Sequence, residues 1–210
     1  MKCKLCQSEK LELIEVEQKY YYCQDCELIF LENEAIISPQ KEKARYEEHN
    51  NSFQNKGYVS MFRDFIDSVL VPYLSLSSKQ ILDFGCGSAP VLAKLMTAKD
   101  NQVDYYDPYF YSDKFFIKKS YDLITATEVL EHLSNPYREL ELLTSLLNQG
   151  GYLAVMTSFH SGPEEFVDWW YKSDLTHITF YNLNTFKMIA SIFDLKIIYT
   201  DQKKYILFKI

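Results

Sequence analysis

Gln80-Ile81-Leu82-Asp83-Phe84-Gly85-Cys86-Gly87-Ser88-Ala89-Pro90 is the stretch from which the rest of the chain is read. A short apolar run enters two glycines two apart and then a segment opened by Pro90, in which Val91, Leu92, Leu95 and Met96 recur at helical spacing. The pattern predicts strand, tight turn, helix. Glycine tolerates positive φ and lets the backbone approach a ligand closely, while a helix N-terminus offers unpaired N–H groups. A nucleotide-like cofactor suits such a loop.

Two details set the loop apart from a dinucleotide fingerprint: the third glycine of G-x-G-x-x-G falls on Pro90, and Asp83 lies two residues before Gly85. A diphosphate would repel that carboxylate, whereas a cofactor with an ammonium group and no phosphate would be attracted to it. Asp83-x-Gly85-x-Gly87 resembles motif I of the class I S-adenosylmethionine-dependent methyltransferases, with Ala89 where the family usually has a further glycine. The resemblance implies a doubly wound α/β, Rossmann-like sheet of seven strands in the order 3-2-1-4-5-7-6. It also implies S-adenosylmethionine as cofactor, bound by Asp83, Gly85 and Gly87.

Outward from the loop, strand two is expected at Gln102–Tyr106, ending at Asp107-Pro108. An acid about twenty residues past the glycines at a strand's carboxyl end can accept both ribose hydroxyls. Asp107 takes that part, with Asp104 as the alternative; Asp-Pro also opens ordinary turns. The interval to Tyr121 is too short for a full helix and strand, so strand three should be vestigial, at Phe115–Ile117. Tyr121 to His132 resembles the family's fourth-strand motif, which implies that Thr127 and Glu128 face the methionine part of the cofactor, with His132 just beyond. Pro136–Leu147 reads as a helix, with a glycine cap in Asn148–Gly151, and Tyr152–Thr157 as strand five. Leu195–Thr200 and Lys204–Ile210 form the closing pair.

Before the loop, Cys3-x-x-Cys6 and Cys23-x-x-Cys26 are two knuckle-like pairs separated by sixteen residues. That spacing suits a structural four-thiolate zinc site in a ribbon over residues 1–38; two disulfides or four unrelated thiols are the alternatives. Residues 39–78 read as a helical linker or lid. Tyr58, Phe62, Phe65, Ile66 and Val69 give an amphipathic helix that Pro72 ends. Its polar cluster, with Tyr46, His49 and Asn50, is either a solvated helix end or a substrate contact. The resemblance favours the latter, because helices before motif I commonly cover cofactor and substrate. Residues 79–210 then form the methyltransferase domain.

After strand five comes an aromatic insertion, Phe159–Tyr181, at the sheet edge where open α/β folds hold ligands. Trp169, Trp170 and Tyr171 offer flat surfaces to an acceptor, and His177 and His160 are candidate bases. The Asp174-x-Thr176-His177-x-x-Phe180-Tyr181 pattern resembles bacterial methyltransferases of the quinone-methylating and related small-molecule groups. The expected enzyme therefore moves a methyl group to an oxygen, nitrogen or carbon of a small molecule. Of the 210 residues 47% are apolar, enough for a sizeable core, and the net charge of −7 points away from nucleic acid. Alternatives are an RNA methyltransferase whose ribbon grips RNA, or a non-catalytic zinc-ribbon and cofactor-binding module. No apolar signal segment or membrane-length run is present, so a cytoplasmic protein is expected.

Overall fold

The computed structural model describes residues 1–48, 51–98 and 100–210; His49 and Asn50 lie outside the described residues. Its larger sheet is built from β4 (Gln80–Phe84), β5 (Gln102–Tyr106), β6 (Tyr121–Thr127), β7 (Leu147–Met156), β9 (Lys196–Thr200) and β10 (Tyr205–Lys209). The strand order is β5-β4-β6-β7-β10-β9, with β5, β4, β6 and β7 parallel and β10 antiparallel to both of its neighbours. This is the expected order without strand three. Phe115–Lys118 is instead a single 3-10 turn, so the sheet has six strands among the described residues. The turn still anchors its end of the sheet, because Phe116 packs on Phe84 and Tyr106.

Helices cover both faces. α2 (Lys56–Phe65), capped by the Asn55 side chain, widens into a π turn at Ile66–Leu70 and buries Phe62, Phe65, Val69 and Leu70. α3 (Val91–Met96) follows the glycine loop. On the other face lie α4 (Pro136–Ser145) and α6 (Leu183–Ile192), each capped by an asparagine, with the short α5 (Pro163–Phe166) inside the insertion. α4 ends sooner than its periodicity suggests, at a right-handed Leu146. Gly150, with φ +76°, lies within β7, where the register with β6 shifts between Tyr121 and Leu123.

The N-terminal residues do not form a separate bead. β1 (Leu11–Glu15), β2 (Lys19–Cys23) and β3 (Ile29–Leu31) make a meander, and β8 (Thr179–Phe180) from the insertion adds a fourth strand, pairing Ile29 with Phe180. Cys3, Leu5, Leu28 and Phe30 belong to the same buried cluster as Tyr181, Phe186 and Phe208. The side chain of Glu27 fastens the join, accepting hydrogen bonds from Asn182 at 2.6 Å and Asn184 at 2.7 Å at the start of α6. α1 (Pro39–Glu47) differs from all of these, because it buries none of its residues. It is tied on by polar contacts: Tyr109 donates to Glu42 at 2.6 Å, and Arg45 reaches Asp174 at 3.2 Å.

Candidate active site

A cavity of about 600 Å³ opens at the carboxyl ends of β4, β5 and β6, a volume typical of cofactor and small-ligand sites. Gly85, Gly87, Asp107 and Thr127 line one part of it; Glu128, His132, Tyr171 and His177 line another. The first part is made by the glycine loop. Gly85 and Gly87 adopt φ +80° and +68°, a region that side chains disfavour. A Cβ on Gly85 would collide with Val129 Cγ2, so this glycine serves packing as well as the turn; beside Gly87 the nearest atom would be Asn51 Nδ2 at 3.9 Å, which leaves room for a ligand. Asp107 locks the loop to the end of β5. One carboxylate oxygen accepts the Gly87 N–H at 3.1 Å, and the other accepts those of Tyr109 at 2.8 Å and Phe110 at 3.1 Å. A carboxylate has about four acceptor sites, so capacity remains for a ribose hydroxyl.

Asp83 departs from expectation. It is buried, does not line the cavity, and accepts from the Ala93 N–H at 3.1 Å and the Thr125 hydroxyl at 3.0 Å. Pro90, at the N-cap of α3, has no side chain to cap with, and Asp83 supplies the missing acceptor from the neighbouring strand. Burial pushes its carboxyl up to about 6, and the two hydrogen bonds hold it back from rising further. Its attraction for a cofactor ammonium would therefore act through the loop it shapes, not by contact. Asp104, the alternative to Asp107, is held by Lys119 and Tyr121.

At the other part, Tyr46, Trp170, Tyr171 and His177 all face the cavity. Trp170 is 72% exposed, whereas Tyr171 is buried. The remaining two insertion candidates are turned away. Trp169 packs on Phe166, Tyr171 and Phe180. His160 is buried and accepts the Gly162 N–H at Nδ1, so its Nε2–H donates to the Glu27 carbonyl at 2.9 Å. Both ring nitrogens are engaged, and burial lowers its pKa to about 4, which removes it as a base and makes it a tie between insertion and ribbon. His177 is oriented by the Tyr171 carbonyl, 2.7 Å from Nδ1. Asp174 accepts from Thr176 and Arg45, and its carboxyl is held down at about 2, burial opposing the Thr176 bonds and the charges of His177 and Arg45.

The sequence reading missed Glu131. It is completely buried, accepts the Tyr171 hydroxyl at 2.6 Å, and stands beside Glu128, which accepts the same hydroxyl at 3.1 Å. Burial, then the charge of Glu131, raises the carboxyl of Glu128 well above its ordinary value. Glu128 also has φ +54°, strained for a side-chain-bearing residue at the end of β6. The available signal was its place one turn past a strand end, next to His132.

The four cysteines converge. Their sulfur atoms all lie within 4.8 Å of one another, and Cys3–Cys26 and Cys6–Cys23 are each 3.5 Å apart. Zn–S bonds of about 2.3 Å imply sulfur–sulfur edges of about 3.8 Å in a tetrahedral site, so this donor set fits zinc. Both knuckles are built alike. The N–H of Gln7 returns to the Cys3 carbonyl and that of Glu27 to the Cys23 carbonyl, with φ +62° and +61° at those two residues. The fifth cysteine, Cys86, is remote from the cluster in the glycine loop and is buried.

A parallel sheet with a glycine turn after its first strand, an acid after its second and a cavity across the strand ends defines the Rossmann-like fold of S-adenosylmethionine-dependent methyltransferases. The sequence agrees: residues 47–200 match the methyltransferase domain family, and the chain belongs to it. Three curated relatives share the name tRNA U34 carboxymethyltransferase. That of Campylobacter fetus subsp. fetus is 27% identical over 121 residues, covering 47% of this chain and 43% of the relative. That of Campylobacter hominis is 28% identical over 142 residues, covering 52% and 50%. The chain thus spans about half the length of the curated relatives it matches. Among solved structures, an O-methyltransferase family protein from Burkholderia thailandensis superposes with a TM-score of 0.56 at 12% identity, covering 80% of this chain and 62% of that one. A methyltransferase of calicheamicin biosynthesis with SAH bound gives 0.52 at 11% identity, covering 81% and 58%. Among the described residues no helix is long and apolar enough to cross a membrane.

Proposed function

We propose that the chain transfers the methyl group of S-adenosylmethionine to a nucleotide of RNA. The observation that supports an RNA acceptor is the shared name of the three curated relatives, each a tRNA-modifying enzyme. The expectation of a small-molecule acceptor, drawn from the resemblance of Asp174–Tyr181 to quinone-methylating enzymes and from the net charge, gives way to it. In this reading Gly85, Gly87, Asp107, Thr127 and Glu128 hold the cofactor, and the acceptor ring enters between Tyr46, Trp170 and Tyr171. A flat ring with its phosphates left outside suits aromatic walls.

The transferred group is methyl and not carboxymethyl, because the described residues lining the cavity include no lysine or arginine, while Glu42, Asp107, Glu128 and Glu139 are among them. A carboxylate on the moving group would meet those four carboxylates and no guanidinium or ammonium group to hold it. A sulfonium leaves without acid help, so the protein's work is to align donor and acceptor and exclude water. The zinc is structural in this reading: four thiolates leave it no open position, and the ribbon holds the acceptor-side insertion in place through β8 and Glu27.

A second reading, a free ring-bearing metabolite as acceptor, is favoured by the net charge of −7 and the same lack of basic lining residues. Incubation with methyl-labelled S-adenosylmethionine, total tRNA in one arm and pooled metabolites in the other, separates the two. Label in tRNA is the expected result, and label confined to the metabolite arm overturns the RNA assignment.

A further inference from the structure

Beyond the cofactor, the cavity's acceptor end gathers a second set of possible metal ligands. Glu131 and His132 lie on the 3-10 turn that follows β6, and His177 comes from the insertion; one donor atom of each lies within 4.8 Å of the others. Three features point to an ion. Glu131 is completely buried, and its Oε2 has no hydrogen-bond partner among the described residues, although Oε1 is satisfied by Tyr171, and the Thr157 hydroxyl and the Glu128 carboxyl lie close by. A buried, unpaired carboxylate oxygen is costly unless something binds it.

The two imidazoles are prepared in the same way. His132 Nδ1 is 2.9 Å from the Thr176 carbonyl, and His177 Nδ1 is 2.7 Å from the Tyr171 carbonyl. A carbonyl can only accept, so each ring carries its proton on Nδ1, and in the neutral ring the lone pair is on Nε2. Metal-binding histidines are typically oriented by such a hydrogen bond from the other nitrogen to a backbone carbonyl. The third feature is charge. Glu128 and Glu131 share the Tyr171 hydroxyl with no lysine or arginine lining that part of the cavity, and a divalent cation would neutralise the pair.

We propose that Glu131, His132 and His177 hold a divalent first-row metal ion at the acceptor end of the cavity, where it binds a hydroxyl oxygen of the methyl acceptor. Two imidazoles and a carboxylate suit Mn²⁺, Fe²⁺, Co²⁺ or Zn²⁺ better than Ca²⁺, and three protein ligands leave positions open for substrate. The role for the ion rests on the methyltransferase reading. The bound hydroxyl releases its proton to solvent, and the oxygen's electron pair forms the bond to the methyl carbon. The carbon–sulfur pair returns to sulfur, leaving neutral S-adenosylhomocysteine. His177 is then a ligand and not the general base expected from its neighbours in sequence.

The test uses protein brought to one zinc per chain, enough for the four thiolates alone, titrated with Mn²⁺ and followed by electron paramagnetic resonance, with S-adenosylhomocysteine affinity measured alongside by calorimetry. One Mn²⁺ beyond the zinc is expected, and Glu131→Gln and His177→Asn should each weaken it at least tenfold while zinc content and S-adenosylhomocysteine affinity hold. His177 is only partly buried, so His177→Asn keeps the test usable if Glu131→Gln fails to fold. No bound Mn²⁺ in the parent, or equal binding in His177→Asn, means an adventitious ion only and overturns the site without touching the methyltransferase reading. In the labelled-methyl experiment an oxygen-linked methyl, formed at least tenfold faster with Mn²⁺, supports the hydroxyl part. A nitrogen- or carbon-linked methyl formed equally fast after chelation of Mn²⁺ overturns that part.

Discussion

Cys3, Cys6, Cys23 and Cys26 come from two hairpin knuckles of the same build, while Glu131, His132 and His177 come from a strand end and a distant insertion. In the first group the short Cys-x-x-Cys spacing imposes the local turn, so donor type and geometry are both written locally. In the second, His132 and Glu131 are neighbours, yet nothing local brings His177 to them. That depends on the pairing of β3 with β8 and on the Ile178 N–H, which donates to the Glu131 carbonyl at 2.8 Å. A ligand set encoded in short spacings survives as a motif; one assembled across the fold depends on everything that holds the insertion, including the four-cysteine module itself.

The strongest test of that dependence removes the zinc. In Cys23→Ser/Cys26→Ser we expect the one zinc per chain held by the four thiolates to be lost, while metal binding at Glu131, His132 and His177 is scored separately by Mn²⁺. Stability should drop by several kcal/mol, on the order of 10 °C in Tm, because the ribbon shares its core with the catalytic domain. Cys86→Ser should leave zinc unchanged. Full zinc occupancy in the double variant would sink the four-thiolate site, and loss of zinc without loss of stability would show that the two regions are independent.

His160 joins the same two regions, and its effect depends on pH. Folded, its pKa is about 4, against 6.5 ordinarily, so between those values the unfolded chain binds more protons and stability falls as pH drops from 6.5 towards 4. The loss amounts to about 3 kcal/mol at most. Asp83 works in the opposite sense, since its pKa is raised to about 6, so the His160 effect is read as the difference between parent and His160→Gln in thermal melts across that range. Parallel pH profiles would show that the buried imidazole is not held neutral.

Within the cofactor loop the two glycines should separate packing from binding. Gly85→Ala combines positive φ with a clash on Val129 and should destabilise by about 3 kcal/mol, partly restored by Val129→Ala. Gly87→Ala meets open space and should cost about 1–2 kcal/mol from φ alone, its larger effect being on cofactor affinity. Equal losses of stability in the two would contradict this division. Asp107→Ala should weaken S-adenosylhomocysteine binding tenfold to a hundredfold in calorimetry, the scale of one or two charge-assisted hydrogen bonds together with a loosened loop. Unchanged affinity would exclude Asp107 from the ribose site. The smallest effect belongs to Trp170→Ala. Its ring is 72% exposed, so Tm should stay within a degree or two while KM for the acceptor rises several-fold; an unchanged KM would take it out of the acceptor site.

Much of the sheet was legible in advance. β5 falls on Gln102–Tyr106 as expected, and the Tyr58–Val69 stripe became the buried face of α2 and its π turn. Strand three was misread because Phe115-Phe116-Ile117 is apolar enough for a strand, but one turn is sufficient to bury Phe116. Asp83 and His160 were misread for a related reason: sequence gives the chemistry of a side chain but not whether its lone pairs are already taken. Trp169 and Trp170 show the limit most simply, since of two adjacent residues of one type the first packs half-buried on Phe166 and Phe180 and the second stands exposed beside the cavity.

The sequence by itself determined the glycine turn, the two cysteine knuckles and the order of elements, because each follows from φ preferences, short spacings and hydrophobic period, which act over a few residues. Only the tertiary structure decided that Glu131 is buried with an oxygen to spare, that His177 rather than His160 reaches the cavity, and that the ribbon is welded to the domain through β8. Those outcomes depend on which surfaces exclude water together, and that is settled by packing between segments far apart in the chain.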